Sequence, residues 1–306
     1  MLAVPPNENN IGEKHVPNQP SANSMVGLVG VGAMGSALLG RLRKAGKSVK
    51  AFDISEAGIK AAQQGGATTV ASAAAAAKGV VFVHVFVRND AEIIDAVLGP
   101  DGVLAGAAPG SVIFLHSTIL PTTTRHVAEV AAKRGVQVID SPITAVPAKV
   151  AAGEGTFLVG GPEDVVEKLL PHLQALGKSA HRFGPLGAGN VAKLVKNLAN
   201  GTERVMIAQA MMLAEAGGID VRQMLAVMKA EDHGSILQNW EKAYTIDDGK
   251  IGLKGGANIF NKDLPLAAEL ARIFELDLGV IREAAAAGMR YTGVKEIDPI
   301  PPVSKM

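Results

Sequence analysis

The sequence predicts an α/β unit with a doubly wound, mainly parallel sheet, followed by an all-helical unit joined to it by one long helix. Three observations predict it. An apolar strand, a glycine-rich turn and a helix start follow one another in Gly27–Gly46, GLVGVGAMGSALLGRLRKAG. Short, continuously apolar runs then alternate with helix-length stretches through Phe183, the pattern of parallel strands buried on both faces. After Gly189 the apolar residues recur at helical spacing only. The expected boundaries are 1–24 as a flexible leader, 25–188 as the α/β domain, 189–296 as the helical domain and 297–306 as a tail.

Taken in order, Met25–Val29 supplies the first strand and Ala37–Leu42 the apolar face of the first helix. Lys47–Asp53 reads as the second strand, and Ser55–Gln64 as the helix after it. The poly-alanine run Ala73–Ala77 is a short helix rather than a low-complexity linker. Val80–Val87, Ser111–Leu115 and Gly135–Asp140 are buried strands, and Thr156–Val159 and Ser179–Phe183 are shorter ones. Between them, helices occupy Ala91–Leu98, Thr122–Lys133 and Glu163–Leu176. Asn190–Gly217 is one long helix, apolar at Val191, Leu194, Val195, Leu198, Val205, Met206 and Met212. Further helices cover Val221–Ala230, Ser235–Lys242, Leu264–Leu276 and Val280–Met289, with no convincing strand among them. Helices this apolar either build a self-contained core or bury a face on a second subunit; the expectation is a homodimer or homotetramer.

Composition narrows the function. A length of 306 residues suits about two domains. Aromatics are scarce at 4%, whereas alanine, glycine and valine abound, which favours close packing of helix on sheet. A formal net charge of +1 offers no electrostatic case for nucleic acid or an acidic membrane. The absence of cysteine excludes disulfides, thiol nucleophiles and cysteine metal sites, and agrees with a reducing cytoplasm. No segment reaches the roughly eighteen apolar residues of a membrane span. The Asn- and Pro-rich first 24 residues lack the apolar core of a secretion signal. Asn200-Gly201-Thr202 matches the glycosylation pattern but falls inside the long helix.

The glycine turn carries the first chemistry. Gly30, Gly32 and Gly35 fill the G-x-G-x-x-G positions between a strand and a helix. The first permits the tight turn, the second lets backbone approach a pyrophosphate, and the third lets helix pack on strand, so the unit reads as a Rossmann dinucleotide site. Asp53 stands 23 positions after Gly30, where a carboxylate accepts from the ribose hydroxyls and repels a 2′-phosphate. Ile54 and Ser55 supply no arginine for such a phosphate, so NAD is preferred over NADP. The alternative for Asp53 is a cap on the helix near Ser55.

The second chemistry lies at the domain junction. Lys193 and Asn197 are four apart on one helix face, and Asn200 and Arg204 continue the stripe. A lysine near a helix N-terminus, with Lys196 three residues on, is pushed toward a lower pKa. Such a lysine can exchange a proton with an alkoxide, although a helix lysine is by itself usually just solvated. His84 sits in a buried strand and reads as a hydrogen-bonded core histidine; Trp240 reads as core too. Glu231-Asp232-His233 reads as a solvated turn, and no metal site is expected.

Four blocks in order now carry a resemblance to the β-hydroxyacid dehydrogenase family, which includes 3-hydroxyisobutyrate dehydrogenase and tartronate semialdehyde reductase. They are the turn GLVGVGAMG, Asp140–Gly161 (DSPITAVPAKVAAGEGTFLVGG), Gly187–Asn197 (GAGNVAKLVKN) and Lys262–Ala267 (KDLPLA). His116–Pro121 (HSTILP) is similar to the family's nicotinamide-flanking loop. The resemblance implies that Lys193 is the catalytic acid/base and that Asn197 orients the substrate. It places Ser117, Thr144, Ala145, Val146, Lys262 and Asp263 at the substrate, with Asp263 holding local geometry. It gives the cofactor Gly30, Gly32, Ala33, Met34, Gly35, Asp53, Val87, Thr118 and Lys262. For Lys262 the plainer alternative is a helix-start residue paired with Asp263. Gly234 and Ser235 would line the substrate mouth.

Two departures stand out. Thr144-Ala145-Val146 replaces the family's usual Ser-Gly-Gly; Thr144 keeps a hydroxyl, but the Cβ atoms of Ala145 and Val146 bar the approach that glycine permits. Glu275 and Asp277 stand where the family often has glycine and proline. The implied activity is hydride transfer between NAD(H) and a small 3-hydroxy acid or its semialdehyde, a small-molecule carboxylate. The alternatives are an imine reductase of the same architecture, which Lys193 argues against, and a non-catalytic dinucleotide-binding sensor.

Overall fold

The computed structural model describes residues 24–230, 244–247, 250–253, 259–276, 283, 284, 286 and 287. The segments expected as a leader (through residue 23) and a tail, Glu231-Asp232-His233, Gly234, Ser235, the stretch 235–242 expected as a helix with Trp240, Asp277, and most of the stretch 280–289 expected as a helix lie outside them.

The chain opens with β1 (Met25–Val29), α1 (Ala33–Lys44), β2 (Ser48–Phe52), α2 (Glu56–Gln64), β3 (Thr68–Thr69) and α3 (Ala73–Ala77). It continues through β4 (Phe82–Val85), α4 (Asp90–Leu98), α5 (Val103–Gly106), β5 (Val112–Leu115), α6 (Pro121–Ala132) and β6 (Gln137–Asp140). These strands pair in parallel in the order β3-β2-β1-β4-β5-β6. The order reverses between β1 and β4, so a crevice opens beyond their carboxyl ends, where dinucleotides bind in sheets of this kind.

The strand sequences explain the two-faced burial. Phe82 and Phe114 join one cluster, with Val26, Leu28, Leu38 and Leu42; Val83, Val85, Ile113 and Leu115 join the cluster on the opposite face. Successive strand residues point to opposite faces, so only apolar runs satisfy both. The helices begin where local chemistry starts them. Ser55, Ser72 and Asn89 cap α2, α3 and α4 by accepting from Gly58, Ala75 and Glu92 N–H, and Pro121 opens α6.

Helix α1 starts at Ala33, which puts the third glycine inside the helix. The sheet is mainly parallel, as expected, with antiparallel pairing beyond β6. After β6 come β7 (Ile143–Thr144), α7 (Pro147–Ala152), β8 (Thr156–Gly160), α8 (Glu163–Leu176) and β9 (Ser179–Gly184). Strand β8 runs antiparallel to β6 and β7, and β9 is parallel to β8.

The helical part begins with α9 (Ala188–Ala216) and α10 (Val221–Ala230). A hairpin of β10 (Tyr244–Asp247) and β11 (Lys250–Leu253) corrects the expectation of helices alone. The sequence does carry its signal, an Asp248-Gly249 dipeptide between two short apolar runs. A π-helical turn, Ile259–Asp263, then leads into α11 (Leu264–Ile273). Gly201 lets α11 reach α9, because a Cβ there would press on the Leu264 side chain. Leu120 packs with Leu194, Leu266 and Leu270, joining the α/β part to α9 and α11. Of the apolar positions expected along α9, Leu194 and Val205 are buried, while Val195, Met206 and Met212 are exposed. Among the described residues, no helix is long and apolar enough to cross a membrane.

Candidate active site

The cleft beyond the carboxyl ends of β1 and β4 measures about 800 Å³ and is lined by Gly30, Gly32, Asp53, Ile54, Val87 and Arg88, among others. Gly30 has φ +88° and faces the Phe86 carbonyl so closely that a Cβ would collide with it. Gly35 sits equally close to the Gly30 carbonyl. Gly32 differs: its φ is −67°, it occupies the N-cap position of α1, and a Cβ there would meet nothing within 4 Å. Open space thus lies over the helix start where Ala33 and Met34 follow, and the first turn of α1 carries no acidic side chain. An anionic pyrophosphate fits that cradle.

Asp53 closes the cleft at the end of β2. Its carboxylate accepts the Val31 N–H at 2.6 Å, and the Ser55 N–H and hydroxyl at 2.8 and 2.7 Å. Ser55 is the cap of α2, so Asp53 braces the cap while lining the cleft. Opposite, Ser117 donates its hydroxyl to Val87 O at 2.6 Å and accepts Val87 N–H at 3.1 Å. Ser117 is buried, and these bonds pin Val87 to the loop that carries half-buried Thr118. Asp90, which the sequence did not single out, accepts Leu120 N–H and the Thr123 hydroxyl and so anchors the start of α6. Burial raises its carboxyl, opposed by Thr123, Leu120 and nearby Lys262.

Lys193 lies beyond the first turn of α9 and donates to the Ile143 carbonyl at 2.6 Å. Its pKa is lowered to about 8, chiefly by burial, with Lys196 and Lys262 adding repulsion and Asp263 opposing. The direction follows the sequence argument, but the main cause does not: the helix dipole fades after the first turn, and desolvation dominates. One helical turn on, buried Asn197 donates its amide to Asp263 at 2.8 Å. Burial raises the Asp263 carboxyl, against Lys262, Lys193, Asn197 and Lys196. Lys262 and Asp263 both come from the π-helical turn, a distortion often found at functional sites. Lys193, Lys196 and Lys262 therefore all act on the Asp263 carboxylate, and Lys262 acts on Asp90 as well.

The 144–146 segment follows Ile143 directly. Thr144 and Ala145 are half-buried, and Val146 is 58% exposed. Val146 has φ −81° and ψ 159°, and among the described residues Glu275 is the sole non-glycine with positive φ. Ala145 and Val146 thus occupy backbone conformations that carry a Cβ without strain. The segment differs from glycine in the bulk it presents.

Histidine 84 pairs with two further buried histidines. His172 contacts its Nε2 at 3.1 Å, and its Nδ1 meets His116 Nε2 at 2.9 Å; His116 Nδ1 reaches the Ser141 carbonyl at 2.9 Å. Burial lowers all three pKa values, so the chain is neutral, and each ring donates one proton to the next acceptor.

Two family models cover most of the chain. The NAD-binding domain of 6-phosphogluconate dehydrogenase matches residues 25–187. The NAD-binding model of NADP-dependent 3-hydroxyisobutyrate dehydrogenase matches residues 187–293. The chain is 31% identical over 253 residues to an NAD-dependent L-serine dehydrogenase of Pseudomonas aeruginosa, covering 81% of this chain and 85% of that one. It is 32% identical over 250 residues to a 2-(hydroxymethyl)glutarate dehydrogenase of Eubacterium barkeri, covering 81% and 82%. A solved 3-hydroxyisobutyrate dehydrogenase from Salmonella typhimurium superposes with TM-score 0.73 at 26% identity, covering 89% and 95%.

Proposed function

The chain belongs to the β-hydroxyacid dehydrogenase family, and from that premise we propose that Lys193 is its proton-transferring residue, acting on a small 3-hydroxy acid or the matching semialdehyde. The activity is that of an NAD(P)-dependent dehydrogenase acting on a CH–OH group. One observation carries the assignment to Lys193: a lysine with a pKa of about 8, held by the Ile143 carbonyl, beside the Asn197–Asp263 pair.

The bound nicotinamide dinucleotide supplies the hydride exchange. In oxidation, neutral Lys193 takes the hydroxyl proton as the C–H bond breaks; in reduction, protonated Lys193 returns it to the carbonyl oxygen. Asn197 orients the substrate, and Asp263 fixes the Asn197 amide. Lys262 attracts the substrate carboxylate and approaches the cofactor, while Thr144, Ala145 and Val146 shape the opposite wall. Gly30, Gly32, Ala33, Met34 and Gly35 cradle the phosphates, with Ser117 bracing Val87 and Thr118 beside the nicotinamide. Asp53 makes NAD the preferred cofactor.

The proposal extends to organisation. Residues 25–188 form the dinucleotide domain and 189–296 the helical substrate domain. Exposed Val195, Met206, Met212 and Leu213 on α9 support a homodimer or homotetramer. Cytoplasmic residence completes the reading, in keeping with a cysteine-free chain.

The test is a panel of 3-hydroxy acids, their semialdehydes and cyclic imines, run with NADH, NADPH and their oxidised forms on the purified protein. Turnover of a hydroxy acid or semialdehyde, faster with NAD than NADP, is the expected outcome. Reduction of imines alone, or cofactor binding with no turnover, would overturn it.

A further inference from the structure

We propose that Asp140 and Asn190 are positioning residues that clamp the first turn of α9 to the end of β6, fixing Lys193 relative to the 117–118 loop. The inference rests on the reading of Lys193 as the proton-transferring group. Asp140 ends β6 and is fully buried. Its Oδ1 accepts Gly187 N–H at 2.7 Å, and its Oδ2 accepts Asn190 N–H at 2.8 Å. Gly187, at the N-cap of α9, has φ 93° and no side chain to cap with. A carboxylate from 47 residues earlier does that work instead, satisfying N–H groups that would otherwise be orphaned in the interior. The cavity admits no larger group, since a Cβ on Gly160 or Gly189 would strike the carboxylate oxygens.

Asn190 carries the constraint sideways. It is fully buried, accepts the Thr124 hydroxyl at 2.7 Å, and donates to the Ser117 carbonyl at 3.3 Å. Ser117 in turn holds Val87. Lys193 lies three residues after Asn190, and its ammonium returns to Ile143, three residues after Asp140. The segment 140–143 therefore grips the helix twice, once by backbone N–H and once by the lysine itself. A tilt of α9 lengthens these bonds together and moves Lys193 away from the nicotinamide-flanking loop. Burial pushes the Asp140 carboxyl up to about 6 even though the N–H donors of Gly187 and Asn190 favour its ionised form.

Asp140→Asn keeps the volume but turns one acceptor oxygen into an NH₂ that faces a backbone N–H. The expected result is a roughly tenfold or greater loss of kcat, with KM and the NADH dissociation constant within about twofold of wild type. A second readout needs no turnover: the pH midpoint for reaction of Lys193 with an amine reagent, followed on its peptide by mass spectrometry. That midpoint should rise from about 8 toward the ordinary lysine value as the ammonium becomes hydrated. An unchanged midpoint, or a kcat loss matched by equal losses in KM and NADH affinity, overturns the clamp. If Asp140→Asn does not fold, Thr124→Val removes the donor to Asn190 with little change of shape. The same shifts, smaller, are then expected, and their absence in folded Thr124→Val overturns the proposal. Because labelling is read without substrate, it judges the clamp even if no 3-hydroxy acid turns over. That failure would sink the functional reading alone.

Discussion

The dinucleotide cleft and the lysine pocket are built by opposite means. The cleft depends on backbone: glycines placed where a Cβ would collide, and one glycine left open where phosphate can lie. The pocket depends on side chains meeting across long stretches of chain: Lys193 with Ile143, Asn197 with Asp263, Asn190 with Ser117. A site of the first kind is specified by a few adjacent residues. A site of the second kind exists only once the α/β part and α9 have docked.

The largest effect should come from the pocket. Lys193→Ala is expected to lower kcat by about 10²–10⁴-fold while leaving NADH binding intact, since the proposed general acid/base is lost and the cleft is not. Full activity in this variant would refute the assignment. The pH dependence has opposite signs in the two directions. Oxidation requires neutral Lys193, so its kcat rises as pH climbs through about 8; reduction requires the ammonium and falls through the same range. Initial rates in both directions across that range provide the measurement.

The cleft offers the complementary break. Gly32 has an ordinary φ and open space around it, so Gly32→Ala should fold as stably as wild type. Its methyl group would nevertheless occupy the approach to the phosphates, and NADH affinity should fall roughly tenfold or more, a change of about 1.4 kcal/mol per factor of ten. Calorimetric titration and a urea melt separate the two effects. Gly30→Ala, at φ +88° against the Phe86 carbonyl, should damage the fold itself. A smaller change is expected at Asp53. Asp53→Asn keeps an acceptor for Ser55 or for Val31 but not for both, since they use different carboxylate oxygens; it also removes the charge, and NADPH should gain on NADH by about tenfold. Equal relative affinities before and after would mean that Asp53 does not select the cofactor.

This contrast also explains what the sequence disclosed. The glycine turn, the Ala73–Ala77 helix and the bounds of α8 were legible because their determinants are local. The low pKa of Lys193 was legible in direction from Lys196, but its chief cause, burial, arises only on docking. Asp90, Asp140 and Asn190 carried no local signal for their bonds, since their partners lie 30, 50 and 73 residues away. Ser117 matched a loop motif, yet its hydroxyl binds Val87, a partner visible only once β4 and β5 lie side by side. The hairpin after α10 was missed for another reason: helical periodicity on both sides outweighed a short Asp-Gly signal.

The smallest prediction concerns how two helices of the helical part end. Helix α9 ends with the bonds Gly218 N–H to Glu215 O and Ile219 N–H to Ala214 O, and α11 repeats them from Glu275 to Arg272 and from Leu276 to Ala271. In both, the residue after the cap takes a left-handed conformation, φ 74° at Gly218 and φ 55° at Glu275. Glycine enters that region freely, whereas a side chain there costs roughly 1–2 kcal/mol. Glycine also adds entropy to the unfolded chain, which offsets part of the gain. Glu275→Gly should therefore stabilise the protein by about 1 kcal/mol, and Gly218→Ala should destabilise it by a similar amount. Urea midpoints of the pair decide it: movement in opposite directions supports the shared motif, and a lower midpoint for Glu275→Gly refutes it. The exposed Glu275 side chain would then have to make a contact worth more than the backbone strain it sits on.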